Sequence, residues 1–148
     1  MVEAGQLRVY VSKKYFPIFQ EISGNNLFSQ NSQFFILSVF VGGEKHNLLI
    51  PLEKKNELCR AATLSEYDKT SLRALYLKKH MEMSTLKEIV EYAEKYANGG
   101  IKYLLENILQ DMVLEDTEGN WQFKQKSSKE LQMKLFEYVL AMTEEVPF

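Results

Sequence analysis

The residues whose types could carry chemistry are few and badly spaced for it. His46, Cys59 and His80 are the only histidines and cysteine. No two of them form a C-x-x-C or H-x-x-x-H pair of the kind a zinc site needs, so no metal and no cofactor are expected. Cys59 sits in an alternating apolar stretch, where cysteine serves as a small hydrophobe. No G-x-S-x-G elbow supplies a serine nucleophile. Gly42-Gly43 and Gly99-Gly100 lack the spacing of phosphate-binding loops and read as helix stops. Glu88, Glu91 and Glu94 read as the solvated face of an amphipathic helix, not as an acid–base pair. No residue is assigned a catalytic role, and the chain reads as a binding protein rather than an enzyme.

One arrangement points to binding. Leu7-Arg8-Val9-Tyr10-Val11-Ser12 alternates strictly, as a half-buried strand does, with Leu7, Val9 and Val11 on one side. A short helix over about 14–22 follows, with Pro17 in its first turn, and Ser23-Gly24-Asn25-Asn26 ends it. With a second helix after the turn, this is the order of a ribbon-helix-helix unit. In such units the strands of two copies pair as an antiparallel ribbon, and the helices bury against the partner. Gln6, Arg8 and Tyr10 would then face base edges in a major groove, and Lys13 and Lys14 would meet phosphates. The bland alternative is a strand and two helices that pack inside their own chain and touch no DNA. Residues 65–124 also have the order of a winged helix. Its recognition positions, Lys102, Glu106, Asn107 and Gln110, are not cationic.

Charge supports only a weak anion-binding face. The net charge is −2, with seven Lys/Arg against five acids in residues 1–60 and eleven against fifteen thereafter. A face for DNA belongs to the first half and protein contacts to the second. The chain is 45% hydrophobic and 26% charged, the balance of a globular protein of one domain or two small lobes. No apolar run approaches the roughly 20 residues of a membrane helix. The start, MVEAGQLRVYVSKK, lacks signal-peptide features, and a single cysteine agrees with a reducing, cytoplasmic setting.

The elements that must position these residues are mostly legible. Residues 33–41, QFFILSVFV, admit two readings. Their Val, Ile and Phe content favours a strand, completed as a hairpin by Leu48-Leu49-Ile50. As a helix, capped by Asn31 or Ser32 and by Gly42, the segment is apolar on nearly every side and must be buried on every side. A dimer interface through Phe34, Phe35, Leu37 and Phe40 would supply that burial. Residues 51–55 read as a loop and 57–63 as a short strand. Ser65-x-x-Asp68 opens a helix to about Lys79. Ser84 caps the next, with Leu86, Ile89, Val90, Ala93, Tyr96 and Ala97 as its stripe and Asn98-Gly99-Gly100 as its stop. A further helix carries Ile101, Leu104, Leu105, Ile108 and Leu109. Residues 112–115 and 121–124 flank a hairpin turn at 116–120. Ser127-x-x-Glu130 caps a last helix with Leu131, Leu135, Tyr138, Val139 and Met142 inward.

Three of these pieces carry a family resemblance. They are Arg8-Val9-Tyr10-Val11-Ser12-Lys13-Lys14-Tyr15, the run from Phe34 to Gly42 followed by Pro51-Leu52-Glu53, and Tyr96-Ala97-Asn98-Gly99-Gly100-Ile101. Together they resemble the DNA phosphorothioation-associated protein 4 family, small proteins encoded beside bacterial Dnd sulfur-modification genes. The resemblance implies a buried hydrophobic helix at 34–42, which favours the helical reading there. It implies an anti-phage defence context and an accessory role beside larger modification or restriction proteins, an ATPase or a nuclease, with no catalytic residues to transfer. The alternative function is a free-standing ribbon-helix-helix transcriptional regulator or antitoxin. The expected architecture is mainly α within the α+β class. A ribbon-helix-helix-like β-α-α unit over 1–50, dimerising and in possible reach of DNA, precedes a helical, partner-binding part with a short hairpin over 51–148. The whole is expected to form one compact domain, in a homodimer or a heteromeric complex.

Overall fold

The structure, a computed structural model, describes residues 6–22, 31–124 and 128–144. The expected stop at Ser23–Asn26 and the expected cap at Ser127 lie outside these residues. The molecule is mainly helical, with two small antiparallel sheets, as the α+β expectation had it.

Strand β1 (Arg8–Ser12) runs into a 3-10 turn and helix α1 (Phe16–Ile22), with Pro17 in the first turn, where its missing N–H costs nothing. Helix α2 (Asn31–Phe40) settles the ambiguous apolar segment as helical. Asn31 is already helical, so any N-cap lies outside the described residues. Gly42 does not cap the helix. The chain widens into a π turn (Val41–Lys45), and Gly42 and Gly43 keep negative φ.

Strand β2 (Lys55–Arg60) pairs antiparallel with β1, with a bulge between Val9 and Tyr10 that leaves Leu58 unopposed. The order strand–helix–helix is therefore present, but β1 finds its partner in its own chain, not in a second copy. This also joins the two expected halves: the core runs without a break from Leu7 and Val9 to Leu131 and Leu135.

Helix α3 (Glu66–His80) opens on the expected capping box: Ser65 Oγ accepts from the Asp68 N–H, and the Asp68 carboxylate accepts from the Ser65 N–H. It ends at Met81, whose φ of 61° is the left-handed cap conformation.

Helix α4 (Leu86–Asn107) corrects the sequence reading most. It is one helix of 22 residues, capped by Thr85 rather than Ser84, and it passes straight through Asn98-Gly99-Gly100. Two glycines in a helix interior cost about 1 kcal/mol each by propensity. Close packing offsets that cost. A Cβ on Gly100 would collide with the Ser38 carbonyl of α2, one on Gly42 with the Tyr96 carbonyl of α4, and one on Gly99 with the Leu48 carbonyl. The two Gly-Gly pairs thus let two backbones touch. Leu48 N–H then reaches the Gly42 carbonyl at 2.7 Å, and Ile50 N–H reaches the Lys95 carbonyl at 3.1 Å.

Strands β3 (Val113–Glu115) and β4 (Trp121–Phe123) form the expected hairpin. Its turn is held by the Asp116 carboxylate, which accepts from the Glu118 and Asn120 N–H groups at 2.9 Å each, with Gly119 at φ 87°. Helix α5 (Ser128–Glu144) closes the chain and sets Leu131 and Leu135 into the core, with Tyr138 and Met142 packed beside them. Val139, expected inward, turns to solvent. Among the described residues no helix is long and apolar enough to cross a membrane.

Candidate functional site

The five residues expected on a DNA face divide between two grooves. Gln6, Arg8 and Tyr10 line a groove of about 230 Å³ with Lys55, Lys87, Glu91 and Glu94. Lys13 and Lys14 line another, of about 480 Å³, between the end of β1 and the β3–β4 turn, with Lys54, Glu53, Glu115 and Glu118. In the second groove three lysines meet three glutamates, so its field is close to balanced.

The first groove is built by the way β1 lies along α4. Lys87, Glu91, Glu94 and Asn98 recur every three or four residues and so share one edge of the helix. Strand and helix run side by side, two strand residues advancing about as far as one helical turn. At one level Ser12 Oγ donates to Asn98 Oδ1 at 2.7 Å, and Asn98 Nδ2 donates to the Ile50 and Pro51 carbonyls at 3.2 Å each. One level earlier the Tyr10 N–H donates to Glu94 Oε2 at 2.9 Å. At the third level Arg8 lies opposite Lys87 and Glu91, and there the seam widens into the groove. Arg8 Nε sits 3.3 Å from the Glu57 carboxylate, and Lys55 Nζ lies 5.1 Å from the centre of the Tyr10 ring.

Glu94 was missed in the sequence. It is only 5% exposed, whereas Glu88 and Glu91 are on the surface as expected. Burial raises its pKa to about 7, against the Tyr10 N–H and the Lys55 ammonium, which favour the charged form. The signal was present. Four residues after Val90 and seven before Ile101, Glu94 falls on the apolar face of α4, not beside Glu88. Asn98 was read as a helix stop, and the structure makes it a buried clasp between α4, β1 and the 50–51 loop.

The residues expected at a dimer interface fare differently. Phe34 and Phe35 are completely buried within the chain, and Leu37 and Phe40 pack half-buried against the same core. The Phe19 ring meets Phe34 edge-on at 5.3 Å. The all-round apolarity of α2 is thus met by α1, α4 and β2 of its own chain, so Phe34 and Phe35 offer nothing to a partner.

The histidines go to two tyrosine clusters spaced along α4. His46 stacks on Tyr103 at 3.8 Å, with Nε2 3.2 Å from the Tyr138 hydroxyl of α5. His80 stacks on Tyr76 at 3.9 Å and meets Tyr92 edge-on at 4.3 Å. Cys59 is half-buried in β2, and burial pushes its thiol pKa up, away from the reactive thiolate. Among the described residues no group of three His, Cys, Asp or Glu side chains is placed to hold a metal ion.

Surface apolarity collects on α5. Met133 is 55% exposed, Phe136 62% and Leu140 44%, with Val139 beside them, in a stripe opposite the buried one. Lys129, Glu130, Lys134 and Glu137 border its first half. No protein-family model matches the chain, and no curated protein or solved structure is detectably similar to it.

Proposed function

We propose that this chain is a non-enzymatic accessory subunit of a bacterial anti-phage DNA modification or restriction system of the Dnd type, acting in the cytoplasm. It docks on a larger defence protein, an ATPase or a nuclease, and its β1 face contacts DNA. The observation that carries the binding reading is the second apolar stripe of α5. One side of this helix already fills the core, and on the other Met133, Phe136 and Leu140 expose large apolar surface to water. Single apolar side chains are exposed elsewhere, Tyr67 and Met81 among them, but on α5 Met133, Phe136 and Leu140 follow one another along one helix face, and such a stripe suits a protein partner. The defence context rests on the resemblance of the 8–15, 34–53 and 96–101 segments. A free-standing ribbon-helix-helix regulator is the weaker reading, because it needs β1 to pair with a second copy and β1 pairs with β2.

Co-expression with the large proteins encoded beside it tests the proposal. The wild-type chain should co-purify with one of them, and Phe136→Asp and Met133→Asp should abolish this without changing the thermal melt. Co-purification that survives both substitutions removes α5 as the docking element. A short toxin as the sole co-purifying neighbour replaces the subunit reading with an antitoxin.

A further inference from the structure

The groove at the open end of the β1–α4 seam has the chemistry of an anion site. Lys87 rises from the first turn of α4 and Lys55 from the first residue of β2, so two lysines from separate elements line one small cavity, with the Lys55 ammonium 5.1 Å from the centre of the Tyr10 ring. Arg8 lines the same groove, with its Nε 3.3 Å from the Glu57 carboxylate. The acids of the groove are Glu91, which is exposed, and Glu94, which forms its wall next to the Tyr10 N–H. The groove, at about 230 Å³, is the size of a small polar group rather than a drug-sized ligand.

We propose that this groove binds a single phosphate group, held by Lys55 and Lys87 and hydrogen-bonded by the carboxyl of Glu94. Two ammonium groups suit a phosphate as point charges. A neutral carboxyl can donate its O–H to a phosphate oxygen, whereas a carboxylate would repel it. Protonation of Glu94 near neutrality therefore favours the bound state, and binding draws a proton onto Glu94. The other charges facing Glu94 are Lys55 from β2 and Glu91 and Lys95 from its own helix, with Arg8 and Lys87 further along the groove. The proton on Glu94, whose pKa burial raises to about 7, adds its own pH dependence to that of the ligand. The phosphate can come from a DNA backbone or from a free phosphate or nucleotide. Only the first source rests on the proposed function.

The test is a titration of the full chain followed by amide NMR, with inorganic phosphate, a nucleoside monophosphate and a 12-base-pair duplex, at pH 6 and pH 8. Saturable shifts at Tyr10, Lys55 and Lys87 are expected, with affinity for inorganic phosphate at least fivefold higher at pH 6. Lys87→Ala and Lys55→Ala should each weaken binding about tenfold. Glu94→Gln, which keeps a donor but cannot titrate, should bind with the same affinity at both pH values once the ligand's own protonation is allowed for by a sulfate control. Shifts that map elsewhere, or affinities that ignore both lysine substitutions, overturn the site. If the duplex binds but is indifferent to Lys55 and Lys87, the groove assignment fails while the DNA reading stands. If phosphate or nucleotide binds in the groove and the duplex does not, the groove stands and the DNA reading falls.

Discussion

Glu94 should leave a signature in the pH dependence of stability. Its folded pKa, about 7, lies above the ordinary 4.5. The folded state therefore binds this proton more tightly than the unfolded chain does, and the stabilisation is complete below about pH 4.5 and lost as pH rises through 7. At about 1.4 kcal/mol per pKa unit, the loss is roughly 3 kcal/mol between those limits. Glu94→Gln keeps an acceptor for the Tyr10 N–H and removes the titration. Urea unfolding should show the variant more stable than wild type at pH 9 and nearly equal at pH 5; parallel curves for the two proteins would show that Glu94 is solvated. Asn98 is the second testable residue. Asn98→Ala strips one acceptor and two donated hydrogen bonds, and leaves the Ser12 hydroxyl and two carbonyls facing the gap. A loss of about 2–4 kcal/mol is expected from unsatisfied buried groups. A change below 0.5 kcal/mol, on the scale of an ordinary surface substitution, would mean water replaces the clasp. These two residues also mark how far the sequence could be read. The position of Glu94 on the apolar face was visible by helical spacing, but three glutamates at near-helical intervals look alike until a strand covers one of them. Asn98 beside two glycines has the local form of a helix end, and only its partners at residues 12, 50 and 51 reveal otherwise.

Among the elements, those whose cause is local were legible and those whose cause is distant were not. The capping box of α3, the early proline of α1 and the Asp116–Gly119 turn act within five residues, and the structure has each where the sequence put it. The continuity of α4 depends on α2 and on residue 48, far away in sequence, and local propensity pointed the wrong way. That difference gives a prediction whose sign is informative. Gly100→Ala improves helix propensity by about 1 kcal/mol, and Gly42→Ala adds a side chain within the π turn. Each also drives a methyl into a backbone carbonyl that cannot rotate away. Overpacking of this kind costs about 1–3 kcal/mol or more, so both variants should melt lower than wild type. A raised melting temperature would show that α2 and α4 can part without penalty. In α5 the opposite logic holds, and Phe136→Asp should leave the melt unchanged because its ring touches water already.

At the scale of the molecule, the long-range pairing of β1 with β2 decides what the surface can be. A strand bound to its own chain on one side and clasped by Glu94 on the other has no edge left at Tyr10 for a ribbon with a second copy. If the chain self-associates, the exposed stripe of α5 offers a route. Light scattering should then show Phe136→Asp shifting a dimer to a folded monomer, and Phe35→Asp unfolding the chain outright, since Phe35 is fully enclosed. A Phe35→Asp variant that stays folded but loses its dimer would return the interface to α2. The glycine contacts between α2 and α4 carry one more consequence, about alignment. A hydrophobic stripe by itself lets two helices dock at several offsets, because one leucine fits where another did. Moving α4 by one turn would bring Tyr96 or Leu104 to the place of Gly100, against the Ser38 carbonyl, where not even a methyl fits. The notch acts as a vernier: of the offsets that an apolar face would tolerate, it admits one. That single offset is also what brings Glu94 level with Tyr10 and Asn98 level with Ser12, so the residues that weaken the helix locally are those that set the position of the groove.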